Sequence, residues 1–123
     1  MKRLLVLAAA CSVLVACGAT PLYSLDKTKA CLTEKNVRLE APRDFVASSA
    51  TGGATRAVLQ GNAVTIVFGA KLSDAEGIAD EYRRVAAANV GIDDVLHQQR
   101  NAVMLWHLHP GDSQQKLILA CLK

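Results

Sequence analysis

Two apolar-rich stretches, Thr55–Gln60 and Ala63–Phe68, flank Gly61-Asn62, and this pattern constrains the fold more than any other part of the chain. Gly and Asn tolerate the positive φ angles that a two-residue hairpin turn requires, so the segment predicts two antiparallel strands. Pairing outward from a Gly61-Asn62 turn sets Gln60 opposite Ala63, Leu59 opposite Val64, Ala57 opposite Ile66 and Thr55 opposite Phe68. One face then collects Ala57, Leu59, Val64, Ile66 and Phe68, while the other mixes Arg56, Gln60 and Thr65 with Val58 and Val67. A sheet with one greasier face is expected to bury it under helices.

Helical signals lie on both sides of the hairpin. Residues Asp26 to Asn36 read as a first helix, with Asp26 a candidate N-cap and Asn36 a candidate stop. Val37-Arg38-Leu39-Glu40 alternates like a short strand before Pro42. After the hairpin, Ser73-Asp74-Ala75-Glu76 has the form of a capping box. Ile78, Ala79, Tyr82, Val85 and Ala86 follow on one face at helical spacing, and Gly91 supplies a stop after Asn89-Val90. Val95–Gln98 and Ala102–Leu108 predict a further strand pair. Pro110-Gly111 then breaks the chain before a final segment, capped by Asp112, that reads as helix with strand as its alternative. The expected class is α+β: a small antiparallel sheet with helices packed on one face.

The start of the chain has a different character. Lys2 and Arg3 precede an uncharged apolar run from Leu4 to Ala16, too short for the ~20 residues a spanning helix needs but of the right length for a signal sequence. It ends in Leu14-Val15-Ala16-Cys17-Gly18, which resembles the lipobox of bacterial lipoproteins. Cys11, after Ala8-Ala9-Ala10, is a weaker rival because Ala stands at the aliphatic position and the apolar run before it is truncated. The resemblance implies cleavage before Cys17, acylation of its thiol and attachment to the outer face of a cell membrane. Gly18 is not the Asp of a retention signal, so in a two-membrane cell the resemblance implies the outer membrane. Residues 1–16 are then the leader, 17–25 a short tether of about 30 Å at full extension, and 26–123 a single α+β domain.

Removing sixteen of the 123 residues leaves 107, and losing Lys2 and Arg3 takes the basic count from 14 to 12 against 11 acids, a net charge of +1. That near-neutral balance, with no basic run, argues against a nucleic-acid partner. Of four cysteines, Cys11 leaves with the leader and Cys17 takes the lipid. Cys31 and Cys121 remain, each within an Ala-Cys-Leu string, and in an exported domain such a pair predicts a disulfide joining the first and last helices, with two buried free thiols as the alternative.

Candidate chemistry is sparse. Ser48–Ala54 is rich in small residues but lacks the Lys-Ser/Thr ending of a phosphate-binding loop. His107 and His109, two apart on a strand, share one face and make half of a tetrahedral metal site; His97 joins them only if the turn at Arg100-Asn101 has three residues rather than two, and Asp112 is a further candidate. Asp93-Asp94 lacks the loop that calcium binding needs. No Ser stands in a nucleophile-elbow sequence and no catalytic residue is identified. Trp106 is either core or, if exposed beside Tyr82 or Met104, part of a recognition groove. The expected function is a membrane-anchored, non-enzymatic binding module for a protein or other component of the cell envelope, without a cofactor; a small metal-binding lipoprotein using His107 and His109 is the alternative.

Overall fold

A computed structural model describes residues 20–86 and 91–123. In chain order the elements are α1 (Leu25–Glu34), β1 (Arg38–Glu40), α2 (Phe45–Ser48), β2 (Ala54–Leu59), β3 (Asn62–Phe68), α3 (Leu72–Val85), α4 (Ile92–Val95), β4 (Leu96–Gln99), β5 (Ala102–Trp106) and α5 (Asp112–Cys121). The strands form one five-stranded sheet in the order β1-β2-β3-β5-β4, and every neighbouring pair is antiparallel. The α+β class expected from the sequence is therefore present, and α5 is a helix.

Helices cover both faces of the sheet rather than one. Val64, Ile66 and Phe68 of β3, with Ala102, Met104 and Trp106 of β5, pack against Leu32 of α1 and Ile118 and Cys121 of α5. On the opposite face Val67 and Val103 pair across the strands and are covered by Ala75, Ala79 and Tyr82 of α3. The reason is in the sequence of the second face: Val58 and Val67, joined by Val103 and Leu105 of β5, carry too much apolar surface to leave in water. All seven residues of β3 are buried in consequence.

The β2–β3 register differs from the expected one by a step that preserves the faces. Leu59 lies opposite Asn62, Ala57 opposite Val64 and Thr55 opposite Ile66, so the turn residues are Gln60 and Gly61. Gly61 takes φ +72° there, a left-handed conformation favourable only to glycine and a few polar residues. Asn62 is drawn into the strand because its side chain has another task. Its Oδ1 accepts from the Leu108 amide at 2.9 Å, and its Nδ2 donates to the Leu108 carbonyl at 3.0 Å and to Gln114 Oε1 at 3.2 Å.

Three helix starts also move. Ser24, not Asp26, caps α1, accepting from the Lys27 amide; Asn36 does end that region, at φ +60°. In α3 Ser73 lies inside the helix, and the Asp74 carboxylate reaches back to the Lys71 amide at 3.1 Å. Asp112 is the first residue of α5, after Gly111. Gly91, at φ +61°, precedes α4 rather than ending α3, whose last residue is Val85; Asn89-Val90 lies outside the described residues. The helix α2, with Asp44 as its N-cap, stands between β1 and β2, where no element is expected above.

Chain attachment to the domain begins ahead of residue 26. Tyr23 exchanges two hydrogen bonds with the side chain of Asn101, 2.7 Å to Oδ1 and 2.9 Å from Nδ2, and Ser24 N–H donates to the Lys123 carbonyl. The same Nδ2 reaches the Gly69 carbonyl at 2.9 Å, so one buried amide joins the entering chain, the β4–β5 turn and the end of β3.

Candidate functional site

Cys31 and Cys121 are joined as a disulfide, with Cα atoms 5.4 Å apart, and the bond ties α1 to α5. Cys17 and the rest of the lipobox lie outside the described residues. Trp106 is 2% exposed and belongs to the core between the sheet and the α1–α5 layer, so the recognition-groove reading of this residue is discarded. Its Nε1 is buried without a hydrogen-bond acceptor.

The three histidines do not converge. The β4–β5 turn has two residues, which sets His97 opposite Met104 and away from the face of His107. His97 Nε2 lies 3.2 Å from the Asp94 carbonyl, and His109 Nδ1 lies 2.9 Å from Asp94 Oδ1. His107 is exposed just past β5. Among the described residues no three His, Cys, Asp or Glu side chains are grouped so as to hold a metal ion. Asp93 is held by Arg83 Nε at 3.0 Å.

Among the described residues, a groove lies on the surface between α2 and α3. It encloses about 560 Å³ and is lined by Phe45, Val46 and Ala50 on one side and by Gly77 and Ile78 on the other. Phe45 is 84% exposed, which is unusual for a phenylalanine and places a full aromatic face at the edge of the groove. Gly77 stands in mid-helix, where it costs about 0.5–1 kcal/mol relative to alanine. A Cβ built there would meet nothing within 4 Å, so no packing constraint demands glycine. Its small size leaves room in the groove wall.

Two polar clasps join α2 and the turn after it to α3. Tyr82, on the sheet side of α3, donates to the Asp44 carboxylate at 2.9–3.0 Å; the same carboxylate caps α2 by accepting from the Ala47 amide at 2.8 Å. Burial first, and then the Asp44 carboxylate, push the Tyr82 phenol far above its ordinary value, so it is a fixed donor throughout the physiological range. At the other end Thr51 Oγ1 donates to Asp74 Oδ2 at 3.1 Å and accepts from the Ala70 amide at 3.1 Å. Glu81, on the rim, is paired with Arg84. The charged groups around the groove are thus committed to structural partners, and what it offers a ligand is mainly apolar surface, with Ser49 and Ser73 also in its lining.

Sequence reading does not find this groove. Asp44-Phe45 after Pro42 carries a cap signal, but a four-residue helix is too short to show a period. Gly77, inside an otherwise regular helical pattern, is the other available clue. No family model, no curated protein and no solved structure matches the chain. No helix among the described residues is long and apolar enough to cross a membrane.

Proposed function

We propose that this chain is an extracytoplasmic lipoprotein, cut before Cys17 and held on the outer face of a membrane by acyl groups there, and that its domain is a non-enzymatic binding module for an envelope protein. The attachment rests on Leu14-Val15-Ala16-Cys17 at the end of a charged-then-apolar leader. In a cell with two membranes Gly18 directs it to the outer one. The observation that carries the binding role is Phe45, 84% exposed beside an apolar groove whose charged neighbours are already paired. An apolar side chain of a partner entering the groove removes both surfaces from water at roughly 25 cal/mol per Å². Catalysis would instead call for uncommitted polar groups converging on one point.

Capture from detergent-solubilised membranes, with the lipidated protein as bait, tests the reading. A discrete protein partner retained by the wild type and lost from Phe45→Asp supports it. Equal capture by both variants removes the groove from the proposal, and intact-mass spectra without an acyl group on Cys17 remove the anchor.

A further inference from the structure

The entry point of the tether coincides with a cluster of exposed cations, and we propose that this end of the domain rests on anionic phospholipid headgroups. The inference rests on the anchoring of Cys17 argued above. Tyr23 is fixed by the buried Asn101, so Cys17 and the clamped residue are six residues apart. Six residues reach at most about 20 Å even when fully extended. An anchored chain therefore keeps the Tyr23–Asn101 end within that distance of the membrane surface.

The side chains found there suit such a surface. Arg100, in the β4–β5 turn, stacks over the Tyr23 ring at 5.0 Å and is otherwise exposed. Lys27 is in the first turn of α1. Lys123 is bonded through its backbone to Ser24 and Thr28. Lys71 follows Gly69, whose amide donates to the Asn101 carbonyl. All four cations are exposed, and the opposing charges are fewer: Asp26, and Asp74 beside the Lys71 amide. Leu22 and Leu72, next in sequence to Tyr23 and Lys71, are 46% and 40% exposed. Cations interleaved with exposed apolar tips are the composition that binds the interfacial zone of an anionic bilayer. At the far end of the sheet charges of both signs mix: Asp93, Asp94 and Asp112 at the starts of α4 and α5 lie with Lys35 after α1 and with Arg83, which is paired to Asp93. The excess of exposed cations over acids at the tether end thus turns that end toward the lipid. The groove, bounded along α3 from Ser73 to Arg84, then runs from the lipid side outward.

The test is lysine acylation by a water-soluble reagent, mapped by peptide mass spectrometry, on the full lipidated protein in nanodiscs. Relative to the same protein in neutral detergent, Lys27, Lys71 and Lys123 are expected to label severalfold more slowly in discs containing phosphatidylglycerol, while Lys35, at the other end of α1, is unchanged. Lys27→Glu combined with Lys71→Glu, both at exposed positions, should restore the labelling of Lys123. Uniform labelling of all lysines in a chain that carries the acyl mass overturns the surface and leaves the anchor standing. Equal protection in discs of phosphatidylcholine alone overturns the role of charge. Absence of the acyl mass removes both proposals at once.

Discussion

Asn62 and Asn101 do equivalent work at opposite ends of the sheet. Each sits where a hairpin turn passes into a strand, and each turns its side-chain amide inward to satisfy the backbone of a segment distant in sequence: Leu108 for Asn62, Tyr23 and Gly69 for Asn101. Asparagine suits the role because one planar group both donates and accepts, matching the N–H and C=O that a passing chain presents. Asn101 is completely buried, so its loss cannot be made good by water. Asn101→Ala should leave the Gly69 carbonyl and both backbone groups of Tyr23 without partners, at about 1–3 kcal/mol for each group that stays buried. Urea unfolding measures the loss, and hydrogen exchange should show the Tyr23 amide opening first. An effect no larger than that of an exposed control such as Gln98→Ala would show that the bracket is dispensable.

At the scale of elements, the groove helix α3 and the edge strand β1 yield separate predictions. Gly77→Ala should stabilise the domain by about 0.5–1 kcal/mol, since a helix-interior glycine is replaced where a Cβ has open space. If the groove receives a partner, the same change should weaken capture, so thermal midpoint and binding move in opposite directions; a gain in both would separate Gly77 from binding. In β1, Glu40 receives Arg56 at 2.8 Å, Arg43 at 2.9 Å and Arg38 at 3.2 Å. Partial burial raises its carboxyl, but the Arg56 hydrogen bond and the charges of Arg43 and Arg38 outweigh this and hold it below its ordinary value of 4.5. A carboxyl depressed in the folded state stabilises above that ordinary value and loses its contribution as pH falls through the lowered one. Glu40→Gln should therefore be less stable than the wild type at neutral pH, by an amount that shrinks in high salt, and the two should converge as pH drops below 4.5. A gap independent of pH would assign the effect to packing. The elements themselves were largely legible, because the hairpin alternation, the period of α3 and the Pro110-Gly111 break are local signals. Cap positions slipped by one or two residues where Asp26, Ser73 and Asp112 compete with neighbouring groups for the same orphan amides. The β2–β3 register slipped because the task of Asn62 is set by Leu108 and Gln114, which no local pattern reveals. The groove depends on a short helix meeting a longer one on the same face of the sheet, and its residues share no period.

For the molecule as a whole, the two layers of helix are held differently. The α3 layer follows the sheet closely in sequence, directly after β3, and closes on it through Ala75, Ala79 and Tyr82. The α1–α5 layer joins the two ends of the domain, and its closure brings together residues 90 apart. Without a covalent link, that closure must be met by the burial of Leu32, Ile118, Leu122 and the sheet residues beneath them. A domain of about 100 residues has a limited core with which to do so. The Cys31–Cys121 bond restricts the unfolded chain over almost the whole domain, which in the chain-entropy account stabilises by up to about 4–5 kcal/mol. The paired substitution Cys31→Ala with Cys121→Ala should lower the unfolding free energy by about 2–5 kcal/mol, and the urea midpoint with it, while α3 and the sheet remain folded in the native state. The slope of the transition should rise at the same time, because an unlinked unfolded chain expands and exposes more surface than a looped one. Alkylation of the unreduced wild type should modify neither cysteine. A variant with an unchanged midpoint, or a wild type whose transition ignores reductant, would mean that apolar packing alone holds α1 to α5.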